Sequence, residues 1–231
     1  MKKGFLLFCL CLMLLPAGIA SASLNVVQTS CNILMGEDEC RIVCCAQVHN
    51  DSDHLAGLEH GFFRLINGEE VIAEEGIRRI WPYFLDPGGD GYVFETVTFY
   101  PDEDGHLEAP AITGVTFELN DMNVPLTVEN NRLNTEMHIE RTETDGYIMA
   151  CTLKNDAMET AWNPQVSFGL YTEGGLLLFA DGKSLDNIGI SGGNQIEIQF
   201  IVNPQIVAQW GEYGVEPVEV RVAGYYRQET D

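Results

Sequence analysis

Along most of this chain apolar and polar side chains alternate with a period of two rather than following a helical period. Tyr147, Met149, Cys151 and Leu153 fall on one face of such a run, and Ile42, Cys44, Ala46 and Val48 on one face of another. Alternation of this kind marks a half-buried strand, because successive strand side chains point to opposite faces. Turn residues punctuate the runs: Asn50-Asp51-Ser52-Asp53, Asn67-Gly68, Pro87-Gly88-Gly89, Asp104-Gly105, Asp145-Gly146, Gly174-Gly175, Asp181-Gly182 and Gly192-Gly193. Short strands joined by tight turns predict an all-β protein of antiparallel sandwiches. Helix is expected only in two short segments, near Gly68–Arg79 and near Pro204–Trp210.

The pattern recurs along the chain. Cys45-Ala46-Gln47-Val48-His49-Asn50-Asp51 aligns with Ala150-Cys151-Thr152-Leu153-Lys154-Asn155-Asp156, a step of 105 residues. Phe63 to Gly68 aligns with Phe168 to Glu173, and Val115-Thr116-Phe117 with Val220-Arg221-Val222, at the same step. Pro87-Gly88-Gly89-Asp90 aligns with Ser191-Gly192-Gly193-Asn194 at a step of 104. Ordered matches near one offset predict a duplicated module. The boundary falls in the polar segment Asn120–Pro125, giving units at 23–122 and 126–231. A linker this short limits motion between them without preventing it.

Phe168-Gly169-Leu170-Tyr171 follows a strand ending in Lys154-Asn155-Asp156 and precedes a Gly-Gly turn. This arrangement resembles the FxLYD-type domain, a small Ig-like sandwich of bacterial exported and envelope proteins. Phe63-Arg64-Leu65-Ile66-Asn67 is a looser version of it. Thr172 stands where the family motif has aspartate, and Ile66 where it has tyrosine. The resemblance covers most of each unit and implies two tandem antiparallel Ig-like β-sandwich domains. It brings no catalytic residues with it.

The N-terminus carries a destination. Lys2 and Lys3, the uncharged apolar run Gly4–Leu15, the break at Pro16 and Gly18, and Ala20-Ser21-Ala22 read as a secretory signal peptide cleaved after Ala22. The apolar run is shorter than the roughly 20 residues a bilayer requires. The expectation is a secreted or cell-envelope protein with no membrane span after cleavage. The full chain has 35 acidic and 12 basic residues and a net charge of −23, and loss of Lys2 and Lys3 takes this to −25. Such a surface repels nucleic acid and anionic lipid. The apolar fraction, 45%, remains that of a globular protein.

Five cysteines follow the cleavage point, and export permits disulfides. Their odd number leaves at least one unpaired or intermolecular. Cys31 and Cys40 flank a turn around Gly36 and can staple the first hairpin, with Cys31–Cys45 as the competing pair. Cys44 and Cys151 are expected as buried thiols.

Three clusters are site candidates. His49, Asp51, Asp53, His54, Glu59 and His60 offer imidazole and carboxylate ligands to a divalent cation. Asp102-Glu103-Asp104-Gly105 has part of a calcium loop but lacks the distal glutamate. Trp81, Tyr83 and Phe84 form an aromatic group that could serve as a ligand surface where exposed. Ser191-Gly192-Gly193 lacks the flanks of a nucleophile elbow, and abundant carboxylates alone nominate no glycosidase pair. The expected function is non-enzymatic binding of a protein or cell-surface ligand, without a cofactor. The alternative is a calcium- or zinc-dependent adhesion or enzyme-accessory role. A secreted hydrolase ranks last, and would require a cleft joining carboxylates from both units.

Overall fold

The computed structural model describes residues 23–124 and 128–229, so the expected signal peptide lies outside the described residues. The first half contains β1 (Leu24–Met35), β2 (Cys40–Asn50), β3 (Ala56–Asn67), β4 (Glu70–Gly76), β5 (Phe84–Leu85), β6 (Asp90–Phe99) and β7 (Gly114–Asn123). The second contains β8 (Val128–Arg141), β9 (Tyr147–Lys154), β10 (Ala161–Trp162), β11 (Gln165–Tyr171), β12 (Leu177–Ser184), β13 (Gly189–Ile190), β14 (Gln195–Val202), α1 (Pro204–Glu212) and β15 (Glu219–Glu229). The protein is thus nearly all β, and its strand pairs are antiparallel.

In the first half β1-β2-β6 form one sheet, and β4-β3-β7, with β5 on the start of β3, form another. Ile42, Cys44, Ala46 and Val48 of β2 meet Phe63 and Leu65 of β3 in the core between them. In the second half β8 bridges two sheets. Its residues up to Leu133 pair with β15, and those from Asn134 onward pair with β9. Met149, Cys151, Leu153, Phe168, Leu170, Phe200 and Trp210 fill the second core.

Pairing registers recur at a step of 105. Ala56 pairs with Leu85 and Ala161 with Ile190; Phe63 pairs with Phe117 and Phe168 with Val222. A bulge interrupts the ladder between Leu65 and Ile66, and again between Leu170 and Tyr171. The Gly-Gly turns also step by 105 rather than the expected 104. The Gly88 amide donates to the Asn50 carbonyl and the Gly193 amide to the Asn155 carbonyl. Both glycines have positive φ, 66° and 76°, which glycine adopts without steric penalty.

Asn50 and Asn155 are buried in equivalent roles. Asn50 Nδ2 donates to the carbonyls of His54 and Leu85, and Oδ1 accepts from Ser52 N. Asn155 Nδ2 donates to the carbonyls of Glu159 and Ile190, and Oδ1 accepts from Ala157 N. Each amide satisfies backbone groups that a chain reversal would otherwise bury unpaired.

Strict alternation fails in β2 and β11, which are buried along almost their whole length on both faces. The cause is stacking. Val43 and Cys45, on the outer face of β2, join the second core beside Leu178 and Ala180 of β12. Four β layers therefore lie one on another, and β2 and β11, within the two middle layers, are covered on both faces.

Of the two expected helices, only the second forms. Asn203 caps α1 by accepting from Gln205 N at 2.8 Å, Pro204 starts it, and Ile206 and Trp210 are its buried face. Gly68–Arg79 is instead β4 and the segment after it, because the turn at Gly68 (φ 63°) returns the chain along β3.

Candidate functional site

The middle layers meet across small side chains. Gly169 of β11 faces the ring of Tyr92 of β6, and Gly182 of β12 faces Trp81. A Cβ at Gly169 would stand 2.6 Å from the Tyr92 ring, and one at Gly182 would stand 2.5 Å from Trp81 Cβ and closer still to Cγ. Tyr171 donates to Gln47 Oε1 at 3.0 Å, and the Tyr92 hydroxyl lies 3.0 Å from that of Tyr171. With the single Tyr171 proton committed to Gln47, Tyr92 is the donor of this second bond. The Arg221 guanidinium covers the Tyr171 ring at 4.1 Å.

Neutral amides complete the seam. Gln28 donates to the Gly175 carbonyl and accepts from Leu177 N; Asn32 donates to the Leu178 carbonyl and accepts from Trp210 Nε1. Gln205 and Gln209, one turn apart on α1, treat the edge of β1 as a strand would. Gln205 bonds both N and O of Met35, and Gln209 both N and O of Ile33.

Where the edge strands β6 and β12 approach each other, a cleft of about 320 Å³ opens between the halves. Arg78, Arg79, Trp81 and Glu95 line it from the first half, and Asp181 and Gly182 from the second; Phe94 and Thr96 complete the wall. Burial raises the pKa of Glu95 against the opposing effects of the Arg78 amide and the Arg78 and Arg79 charges. Burial also pushes Asp181 up to about 6, with the Gly182 amide and Lys183 opposing. Desolvation disfavours the charged form in both cases, so each carboxylate gains from a donor or cation brought into the cleft. Arg78 is exposed and forms no salt bridge among the described residues. Arg79 Nη1 donates to Tyr83 Oη at 2.8 Å, and its guanidinium lies 5.3 Å from the Trp81 ring centre.

The expected aromatic ligand surface takes a different form. Trp81 and Phe84 are buried and Tyr83 is half-buried. Arg79 lies over the Trp81 ring and Gly182 packs against its root, so the indole is a wedge in the seam rather than a stacking platform. Tyr83 N donates to Gln165, and the Phe84 carbonyl accepts from Asn130, tying this segment to the second half.

The cation candidates are not gathered into one site. His49 contacts Asp90 through Nδ1 at 2.8 Å and Asp51 through Nε2 at 3.4 Å. Those nitrogens point in opposite directions, so both carboxylates cannot join one ion with the imidazole. His54 pairs with Asp53 and His60 with Glu59, on exposed surface. Asp102 Oδ1 is occupied by the amides of Asp104 and His106, the bonding of a hairpin tip. Among the described residues no three His, Cys, Asp or Glu side chains are grouped to hold a metal.

The cysteine pairing is corrected as well. Cys31 stands opposite Cys44, with their sulfurs 3.8 Å apart, rather than near Cys40 or Cys45. Cys40 is at the far end of β2, opposite Met35, and Cys45 points to the other face, donating to the Ala180 carbonyl at 3.4 Å. All five are thiols. Burial pushes Cys45 up to about 12 and Cys151 up to about 11. Sequence reading did not single out Arg78, Glu95 or Asp181, since one charged residue resembles another until two sheet edges meet.

No family model and no curated protein matches the chain. Among solved structures, the exo-chitosanase CsxA of Amycolatopsis orientalis aligns at a TM-score of 0.27 and 11% identity, over 87% of this chain and 26% of its own. Red sea bream transglutaminase aligns at a TM-score of 0.25 and 8% identity, over 90% and 30%. The chain spans less than a third of either protein, and likeness at this level carries no argument about activity.

Proposed function

We propose that this is an exported, non-enzymatic binding protein built from two tandem Ig-like sandwich modules, with its ligand site in the cleft between them. The recurring registers and the paired buried asparagines support the duplication. The N-terminal pattern of Lys2 to Ala22 supports export. One observation carries the site: the cleft draws an arginine with no salt bridge among the described residues, a buried carboxylate of the first half and a half-buried one of the second into one small space. Such a site suits a small polar ligand that offers an anionic group to Arg78 and hydrogen-bond donors to Asp181.

The test is binding of residues 23–231 to arrayed acidic oligosaccharides and peptides, followed by titration of the hits. Arg78→Ala and Asp181→Asn should each weaken binding at least about tenfold, the loss of one charge-assisted hydrogen bond. Ligands that bind both variants as well as the parent chain place the site elsewhere. A hydrolase is the second reading, favoured by the same meeting of Glu95 and Asp181 across the halves. It requires product release from a bound ligand, abolished in Glu95→Gln.

A further inference from the structure

Cys31 of β1 and Cys44 of β2 are direct partners in an antiparallel ladder. Their sulfurs lie 3.8 Å apart and share a hydrogen bond. Residues directly opposite in such a ladder have Cα atoms about 4.5 or 5.5 Å apart. A disulfide accepts Cα separations of about 4.4–6.8 Å, so side-chain rotation alone can bring the sulfurs to bonding distance. The other cysteines among the described residues have no comparable geometry. Cys45 lies on the opposite face of β2, Cys40 sits at the strand's far end, and Cys151 lies in the second core.

We infer that Cys31 and Cys44 are a modification site, forming a cross-strand disulfide by exchange with a disulfide-bearing donor. Cys31 is half-buried and is the entry point; Cys44 is buried. The Cys31 thiolate attacks one sulfur of the donor disulfide, and the first donor thiolate leaves. The Cys44 thiolate then attacks the Cys31 sulfur of the mixed disulfide, and the second donor thiolate leaves. Two protein thiols and one donor disulfide become one protein disulfide and two donor thiols. Two electrons pass to the donor, and its sulfurs carry away the two protons. The hydrogen bond that the Cys44 thiol donates to Cys31, and burial, hold this thiol well above its ordinary pKa; burial persists in the mixed disulfide, so the second step quickens as pH rises.

The inference rests on the export reading only for where the donor is met, and a test on purified protein separates the two. Reduced, folded residues 23–231 are incubated with oxidised glutathione at alkaline pH, blocked, unfolded and digested without reductant. Cleavage after Glu39 and Arg41 and fragmentation between Cys44 and Cys45 distinguish every candidate pair. The expected product has lost two hydrogens and links Cys31 to Cys44. Its midpoint of thermal unfolding rises by about 6–12 °C, as expected for closing a loop of roughly this length. Cys44→Ala should leave Cys31 as a glutathione adduct and abolish the rise. A persistent adduct without cross-link in the parent chain, or a cross-link through Cys40 or Cys45, overturns the inference. Efficient cross-linking in this assay, together with free thiols in protein collected from bacterial culture, counts against export and leaves the pair standing.

Discussion

Gly182→Ala should weaken the seam between the halves by an amount set by Trp81. The added methyl would stand 2.5 Å from Trp81 Cβ and nearer still to Cγ, the root of the side chain rather than its flexible end. That root is anchored, because Trp81 N donates to Tyr92 O at 2.7 Å and Tyr92 N donates to Trp81 O at 2.8 Å. Relief therefore requires parting the layers, and the cost belongs at the upper end of overpacking, about 3 kcal/mol. Trp81→Gly alone removes the buried indole with its Cβ and should cost at least about 3–5 kcal/mol. In the double variant the loss of the indole together with its Cβ leaves room for the added methyl, so its cost should equal that of Trp81→Gly. The coupling energy is then about 3 kcal/mol, where independent sites would add to within about 0.5 kcal/mol. Urea unfolding followed by far-UV circular dichroism measures all four corners of the cycle. Additive costs, or a Gly182→Ala chain as stable as the parent, would refute this account of the seam.

Other expected outcomes follow from single contacts. Asn155→Ala removes bonds of 2.7, 2.7 and 3.0 Å and strands the Glu159 and Ile190 carbonyls, which should cost about 3–5 kcal/mol in urea unfolding; a loss under about 1 kcal/mol would deny the asparagine its bridging role. Gln205→Ala with Gln209→Ala uncovers the β1 edge at Ile33 and Met35, so light scattering should detect self-association that the parent chain lacks. Asp181 binds its proton more tightly folded, at about 6, than unfolded. The folded state therefore holds more protons than the unfolded state between about pH 4 and 6, and the group's contribution to stability falls as pH rises through that window. Asp181→Asn should accordingly raise the thermal midpoint at pH 7.5 and bring little gain at pH 4; an equal gain at both values would contradict the assignment.

Period-two patterning, a short helix near Pro204 and the turn residues, apart from Asp181-Gly182 within β12, were legible in the sequence because each reports a local rule of backbone geometry. The alternating face of Tyr147 to Leu153 and the helix at Pro204 are of this kind. The short apolar run within Gly68–Arg79 fits either period, and pairing of Val71 and Ala73 with β3 makes Glu70–Gly76 a strand. The ladder position of Cys31 opposite Cys44 depends on hairpin register, which the spacing of the cysteines does not reveal. The amides of Gln28, Asn32, Gln47, Gln205 and Gln209 look like ordinary surface residues until the two middle layers meet. Strand character was therefore determined by the chain alone, since it follows from near neighbours in sequence. The four-layer stack, the wedge at Trp81 and the cleft between Arg78 and Asp181 were decided only by tertiary structure, because they join residues about 100 positions apart through shape and desolvation.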